Sequence, residues 1–396
     1  MRIVIIGAGE CGARAAMALR EAGHAGPVTL IGAEGRAPYE RPPLSKAVLT
    51  GETEPPVVLS LERADALGID LVDGPVVALD RIARQVLLAG GRVLPYERLL
   101  IATGARARPL TLPGAQYALT LRSAADAAAI RARLQPGARV VLIGGGFIGL
   151  EVAASAATRG CRVTVLETLP RILARGVPAE IAAVVGRRHA ADGVEIRTSI
   201  AVQSIGPGTV WTSRGPIAAD LVIAGIGAQP EYGLAQASGL VIENGIAVDE
   251  SFRSSDPAIF AAGDCCSFPY QARRVRLESW RAAQDQAEHV AAAMLGAEAP
   301  FRRVPWFWSD QFDLTLQVAG LYDAALPAIR RETGPGAFIL FQLGPDGRLV
   351  SAAGIGPGQA VAKDIRLAEL LIERGARLDA AALATEPNLK KLMRAA

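Results

Sequence analysis

Two stretches of this chain share one spacing. The chain opens on RIVIIGAGECGARAA, with Gly7, Gly9 and Gly12, and later reads VLIGGGFIGLEVAA, with Gly144, Gly146 and Gly149. Each G-x-G-x-x-G follows a short apolar, β-branched run ("RIVII", "ARVVLIG") fit for a buried parallel strand. Each is followed by helical spacing ("CGARAAMALREAG", "FIGLEVAASAATRG") and then by another strand ("PVTLIG", "CRVTVLE"). Glycines let the backbone turn tightly and approach a pyrophosphate, and the helix N-terminus offers free N–H groups to it. A lone motif of this kind says little, but one set between two strands with a helix inside reads as a dinucleotide cradle. The fold class that follows is α/β, with two Rossmann-like dinucleotide-binding domains and two dinucleotides to hold.

The strands that follow the cradles distinguish them. Glu167 ends "CRVTVLE", about 20 residues past the glycines, where a carboxylate meets a ribose 2′-hydroxyl. An acid there repels a 2′-phosphate, so NADH is favoured over NADPH. Glu34 follows "PVTLIG" at a comparable but somewhat late position. One cradle suits a tightly held flavin and the other a visiting nicotinamide, because a flavin takes two electrons as hydride and releases them singly.

With 396 residues, two or three domains are expected. A net charge of +3 lacks the dense basic stripe of a nucleic-acid binder, and weakly suits an acidic protein partner. No apolar run reaches the roughly 18 residues that span a bilayer. The first strand begins at Arg2, which leaves no room for a signal peptide, so the expected location is cytoplasmic, away from membranes. The four cysteines (Cys11, Cys161, Cys265, Cys266) and three histidines show no metal-ligand spacing, and no metal is expected. The adjacent Cys265 and Cys266 read as buried thiols rather than a vicinal disulfide.

Further motifs lie between and after the cradles: "PYERPPLSK" from Pro38, "LLIATGARARP" from Leu99, "LVIAGIGAQPE" from Leu221, "IFAAGDC" from Ile259, "LESWRAAQDQA" from Leu277 and "VPWFWSDQFD" from Val304. In this order they resemble the FAD-dependent, NADH-utilising ferredoxin reductases that serve cytochrome P450 and ring-hydroxylating oxygenase systems. The resemblance covers nearly the whole chain and is most specific in "RPPLSK", "GGGFIGLE", "GDC" and "PWFWSDQ".

That resemblance implies an FAD domain split in sequence (1–108 and 232–313), an inserted NAD domain (109–231) and a C-terminal α+β domain (314–396). It implies FAD and NADH as cofactors, and as partner an acidic [2Fe–2S] ferredoxin met transiently by a monomer or weak dimer. Gly7, Gly9, Cys11 and Gly12 would lie against the FAD pyrophosphate, with Cys11 standing where relatives have a small alanine. Ala33 occupies the position of the relatives' ribose-binding acid, so Glu34 or the backbone would take over that contact. Lys46 would sit near the flavin ring and Pro43 would wall one of its faces. Arg41 would bind FAD phosphate or a loop carboxylate. Val76 would give a backbone contact to adenine or simply belong to the core. Ala102, Thr103 and Gly104 would border the FAD. Arg122 would do so too, or form an interdomain ion pair; it precedes a helix that Ser123 and Asp126 should cap.

Asp264, after Gly263, would accept a hydrogen bond from a ribitol hydroxyl. Ser279 should cap a helix whose N-terminus faces the flavin pyrimidine edge, with the Trp280 N–H on the flavin. On the other side, Gly144, Gly146, Phe147, Ile148 and Gly149 would form the NAD cradle, and Gly227 would line the nicotinamide slot. Glu151 would approach the nicotinamide carboxamide or serve its own helix dipole.

The electron acceptor is read from an absence in the sequence. No cysteine stands near Pro43, Ser45 and Lys46, where disulfide reductases carry a redox pair and NADH peroxidases a single reactive thiol. An external one-electron acceptor is therefore expected, with Arg302, Arg303, Arg330, Arg331, Lys390 and Lys391 as candidate docking cations and Trp306 and Trp308 near the electron exit. The alternatives are a rubredoxin reductase and an NADH-sensing interaction protein like apoptosis-inducing factor.

Overall fold

The structure is a computed structural model that describes residues 1–271, 273–386 and 388–395. It divides into two compact units, each assembled from three chain segments. Among the described residues no helix is long and apolar enough to cross a membrane.

The first unit comprises Met1–Arg41, Pro55–Arg106 and Ala228–Arg303. Its central sheet is parallel, in the order Ile259–Ala261, Arg98–Ile101, Ile3–Ile6, Val28–Gly32, Ile69–Asp73. Ile3–Ile6 is buried along its whole length, as a strand covered on both faces must be. The helix Glu10–Glu21 buries mostly small residues (Cys11, Gly12, Ala13, Ala15, Ala16), which let it lie close to its neighbours. Arg20 in its last turn ties down the loops beyond it, its guanidinium donating to the carbonyls of His24 (2.5 Å), Gly26 (2.7 Å) and Gly68 (2.6 Å). Helix Trp280–Met294 packs against it and is capped as expected, the Ala282 N–H donating to Ser279 Oγ at 3.1 Å.

The second unit comprises Pro42–Glu54, Ala107–Gly227 and Val304–Ala396. Its parallel sheet runs Glu195–Arg197, Arg162–Leu166, Arg139–Ile143, Leu221–Ala224, Ala118–Thr120. Helix Ala124–Arg133 carries the expected capping box, with the Asp126 N–H on Ser123 Oγ (3.2 Å) and the Ser123 N–H on Asp126 Oδ2 (2.8 Å). The C-terminal part is an antiparallel sheet in the order Trp306–Gln311, Leu314–Gly320, Leu349–Pro357, Ala337–Leu343, Ile329–Gly334. Helix Ala362–Glu373 lays Ile365, Ala368 and Leu371 onto it to form one core with Ile339 and Phe341. The α/β class with a C-terminal α+β layer is thus observed.

Three local features differ from the sequence reading or add to it. The strand Trp306–Gln311 pairs with Leu314–Gly320 and so opens the C-terminal sheet. The C-terminal tail contains a helix, Leu389–Ala395. The segment Pro42–Glu54 folds within the second unit, where the Ser155 hydroxyl donates to Ser45 O (2.7 Å) and Arg159 donates to Thr50 O (3.0 Å).

Candidate functional site

The two cradles have the same internal geometry. In the first, a Cβ on Gly7 would strike the Ala102 carbonyl, and one on Gly12 would strike the Gly7 carbonyl. In the second, a Cβ on Gly144 would strike the Gly225 carbonyl, and one on Gly149 the Gly144 carbonyl. The middle glycines are the opposite: nothing lies within 4 Å of a Cβ on Gly9, and only the Gly225 carbonyl, at 4.0 Å, faces one on Gly146. The outer glycines therefore make the tight turn and the close helix contact, and the middle one leaves open room over a helix N-terminus. That is the space and the donor set a pyrophosphate needs, so both cradles fit a dinucleotide. Gly9 and Gly146 are themselves the residues that precede the two helices, so no side chain competes for the first free N–H groups.

Around the first cradle, Cys11 is buried, with its Sγ 3.4 Å from where a Gly263 Cβ would stand. Burial pushes the Cys11, Cys265 and Cys266 thiols up, and all four cysteines are free, so no disulfide lies here. Gly263 precedes Asp264 in a positive-φ turn held by its N–H on Gln286 Oε1 (2.7 Å), and Gln286 is fully buried. Ala102, Thr103 and Gly104 form the turn after Arg98–Ile101; the Thr103 hydroxyl donates to Glu231 O (2.6 Å) and Gly104 O accepts from the Glu231 N–H (2.9 Å). Ala33 is exposed. Glu34 is held by Arg41 Nη2 (2.5 Å) and the Tyr39 hydroxyl (2.5 Å). Its burial raises the carboxyl pKa, but Tyr39 and Arg41 outweigh that and leave it below the usual range. Arg41 thus meets a loop carboxylate, one of the two contacts open to it. Val76 begins a strand and is half-buried.

In the second unit, Phe147 and the exposed Ile148 follow the cradle directly, and Glu167 caps its mouth. Glu167 Oε2 accepts from the Gly145 N–H (2.8 Å) and Oε1 from the Leu169 N–H (2.8 Å), which orients the carboxylate beside the glycines. Gly227 has φ +111° with nothing within 4 Å of a Cβ. The Arg122 N–H serves the capping carboxylate of Asp126 (3.0 Å).

The strongest side-chain cluster lies one turn into the cradle helix. Glu151 is only 4 % exposed and carries a charge that must be compensated there. Lys46 Nζ stands 2.9 Å from Glu151 Oε2, and the Ser45 hydroxyl donates to the same oxygen. Oε1 takes the hydroxyl of Ser309 at 2.6 Å. Pro43 lies in the short helix just before Lys46, whose ammonium also reaches the Pro42 carbonyl at 3.3 Å. Sequence reading named Lys46 and Glu151 separately and missed both their pairing and the two serines. It also counted one buried residue, Arg331, among the docking cations. Arg331 is buried and donates to the carbonyls of Leu383 (3.2 Å) and Glu386 (2.6 Å), closing a helix end. Arg330 is taken by Glu180 (2.6 Å) and Glu332 (2.7 Å), and Lys391 by Glu386 (3.1 Å).

Comparison with known proteins places this geometry. The pyridine nucleotide-disulphide oxidoreductase family matches residues 1–287, and the reductase C-terminal family matches residues 306–393. The ferredoxin–NAD(+) reductase component of the anthranilate 1,2-dioxygenase system of Burkholderia cepacia is 42 % identical over 96 % of both chains. A rubredoxin–NAD(+) reductase of Pseudomonas putida is 41 % identical over 84 % of this chain and 91 % of its own. The reductase in the crystal structure of a covalent putidaredoxin reductase–putidaredoxin complex superposes with a TM-score of 0.95 at 35 % identity, covering 100 % of this chain and 98 % of that one. The duplicated cradle and these matches agree: the chain belongs to the pyridine nucleotide-disulphide oxidoreductase family, among its ferredoxin–NAD(+) reductases.

Proposed function

We propose that this chain is an FAD-dependent NADH:ferredoxin reductase that passes single electrons to a [2Fe–2S] ferredoxin of a cytochrome P450 or ring-hydroxylating oxygenase system. The observation that carries the reading is the second cradle built into one unit with the Lys46–Glu151 pair, with all cysteines free and none in the Pro42–Glu54 segment. FAD, when bound, supplies the exchange between a two-electron donor and a one-electron acceptor.

The chain's own residues do the rest. Gly7, Gly9, Gly12 and the helix start behind them hold the FAD pyrophosphate, and Asp264 takes a ribitol hydroxyl. Thr103, Arg122, Ser279 and Trp280 border the same cofactor. Gly144, Gly146, Phe147, Ile148 and Gly149 hold NADH, Gly227 lines the slot for its nicotinamide, and Glu151 receives the carboxamide. Lys46 keeps one positive charge fixed at the reaction site, and Glu151 stops it from swinging into water. In this reading residues 1–108 and 232–313 serve FAD, 109–231 serve NADH and 314–396 form the C-terminal domain. The partner is acidic and transient, with Arg302, Arg303 and Lys390 as exposed cations to meet it. The site of action is the reducing cytoplasm, which free thiols suit.

Anaerobic stopped-flow tests the reading. The NADH-reduced protein is mixed with a [2Fe–2S] ferredoxin, a rubredoxin, a disulfide and peroxide. Fast transfer to the ferredoxin is expected; transfer to rubredoxin alone would favour the activity named for the Pseudomonas putida relative. A long-lived, air-resistant reduced state that serves no acceptor would overturn the reductase reading in favour of a sensing protein.

Cofactor choice gives a second test. Glu167→Gln keeps a hydrogen-bond acceptor at the cradle and removes the charge that repels a 2′-phosphate. The ratio of kcat/KM for NADH over NADPH should fall about tenfold, through a higher KM for NADH and better use of NADPH, since 1.4 kcal/mol is a factor of ten. An unchanged ratio would remove Glu167 from the ribose site.

A further inference from the structure

The strand Trp306–Gln311 has two working faces, because successive side chains alternate. Trp306, Trp308 and Asp310 share one: the indoles stack with centroids 5.4 Å apart, and Trp308 Nε1 donates to Asp310 Oδ2 at 2.9 Å. Phe307, Ser309 and Gln311 share the other, and this face is laid along the cradle helix. Phe307 meets Phe147 edge-on at 5.2 Å, and Ser309 donates to Glu151. Phe147 and Glu151 are four residues apart on a helix, about 6 Å along its axis. Phe307 and Ser309 are two apart on a strand, about 6.7 Å. The two repeats match, so the strand engages both positions at once.

The direction of the Ser309 proton is fixed by its second partner. Gln311 Nε2 donates to Ser309 Oγ at 3.0 Å, which uses the acceptor side of the hydroxyl. A serine has one proton to give, and the Glu151 carboxylate receives it. Ser45 and Lys46 both sit on Oε2 of that carboxylate, while Ser309 is the donor on Oε1. Ser309 is 1 % and Gln311 3 % exposed, so water cannot replace the hydroxyl without opening the core.

We propose that Ser309 is a positioning residue for NADH oxidation: it fixes the plane of the Glu151 carboxylate, and Gln311 aims its proton. This rests on the reading of Glu151 as part of the NADH site. It makes the first strand of the C-terminal sheet a component of that site.

The test uses holoenzymes of the wild type, Ser309→Ala, Ser309→Thr, Glu151→Gln and the double variant Ser309→Ala/Glu151→Gln. Loss of a hydrogen bond to a charged group should slow the limiting rate of anaerobic reduction by NADH about tenfold in Ser309→Ala, with the half-saturating NADH concentration held within about twofold. Ser309→Thr, which keeps the hydroxyl, should recover most of the rate. In the Glu151→Gln background Ser309→Ala should cost less than about twofold, since residues that act through one contact are not additive. Infrared spectra without NADH give a readout independent of turnover. The carboxylate stretch that disappears in Glu151→Gln should shift in Ser309→Ala and return in Ser309→Thr. Equal slowing in both backgrounds, or an unshifted band, would overturn the proposal. If Ser309→Ala does not fold, Ser309→Cys carries the same comparisons with a weak donor of similar size. Failure of NADH to reduce the wild type would defeat the reductase reading instead, and the infrared shift would still decide the contact.

Discussion

Gly12→Ala should yield a colourless protein that fails to retain FAD, whereas Gly9→Ala should fold normally and merely bind FAD more weakly. The new methyl at position 12 would land on the Gly7 carbonyl and within 3.3 Å of Ile5 Cγ2. Neither neighbour can yield easily. The Gly7 N–H is bonded to Ile31 O at 2.8 Å, and Ile5 is fully buried in the middle strand of the sheet. Overpacking a tight interior costs about 1–3 kcal/mol; a collision with backbone at the turn itself should cost at least about 3 kcal/mol, a large share of the margin of a typical domain. At position 9 the methyl meets nothing within 4 Å, so its effect falls on the ligand that must approach there. Flavin content after purification and the melting temperature of the flavin-free protein separate the two. A yellow Gly12→Ala protein with wild-type melting would show that the turn relaxes and that the cradle does not need a glycine at position 12.

The second large effect concerns the buried charge. In Lys46→Met, Glu151 would keep two serine hydroxyls and lose its counter-charge. Breaking a buried pair by removing one partner costs roughly 3–5 kcal/mol. Lys46 is 23 % exposed, so the lower end, about 3 kcal/mol, is expected. Reduction by NADH should slow at least about a hundredfold, if Lys46 is worth as much as one preorganised oxyanion-hole donor, whose removal costs about 2.7–4 kcal/mol. The double variant Lys46→Met/Glu151→Gln should recover most of the stability and none of the rate, since removing both charges is nearly neutral for folding. Chemical denaturation and stopped-flow reduction give the two readings. Equal stability of Lys46→Met and wild type would mean that water already compensates Glu151.

These two cases also show where the sequence was legible. The cradles and the Ser123–Asp126 and Ser279 caps are local: each depends on residues a few positions apart, and each stands as read. The cluster on Glu151 is not local. Ser45 lies 106 residues before it and Ser309 158 after it, and a serine has no sequence signature for a partner that far away. Arg331 was misplaced for the same reason. Arg331 reads as a surface charge until helix Ala380–Thr385 is found to end on its guanidinium. Glu34 and Arg41 were each considered for a ligand, and the fold pairs them with one another. Period and turn chemistry are written within a dozen residues, whereas the pairing of charges depends on which segments the chain returns to.

That return path has a consequence for the order in which the protein is made. Every strand of the second parallel sheet lies between Ala118 and Ala224, so that sheet has all its pieces as soon as this stretch has left the ribosome. The first sheet takes its middle strand, Ile3–Ile6, from residues made before that stretch, yet its edge strand Ile259–Ala261, which leads into Gly263 and Asp264, emerges long afterwards. Domains form as their segments appear during synthesis, and contacts distant in sequence are slow to close. The cradle encoded first is therefore completed last, and a nascent chain must keep Ile3–Ile6 and its partners from pairing elsewhere while the second cradle is already assembling.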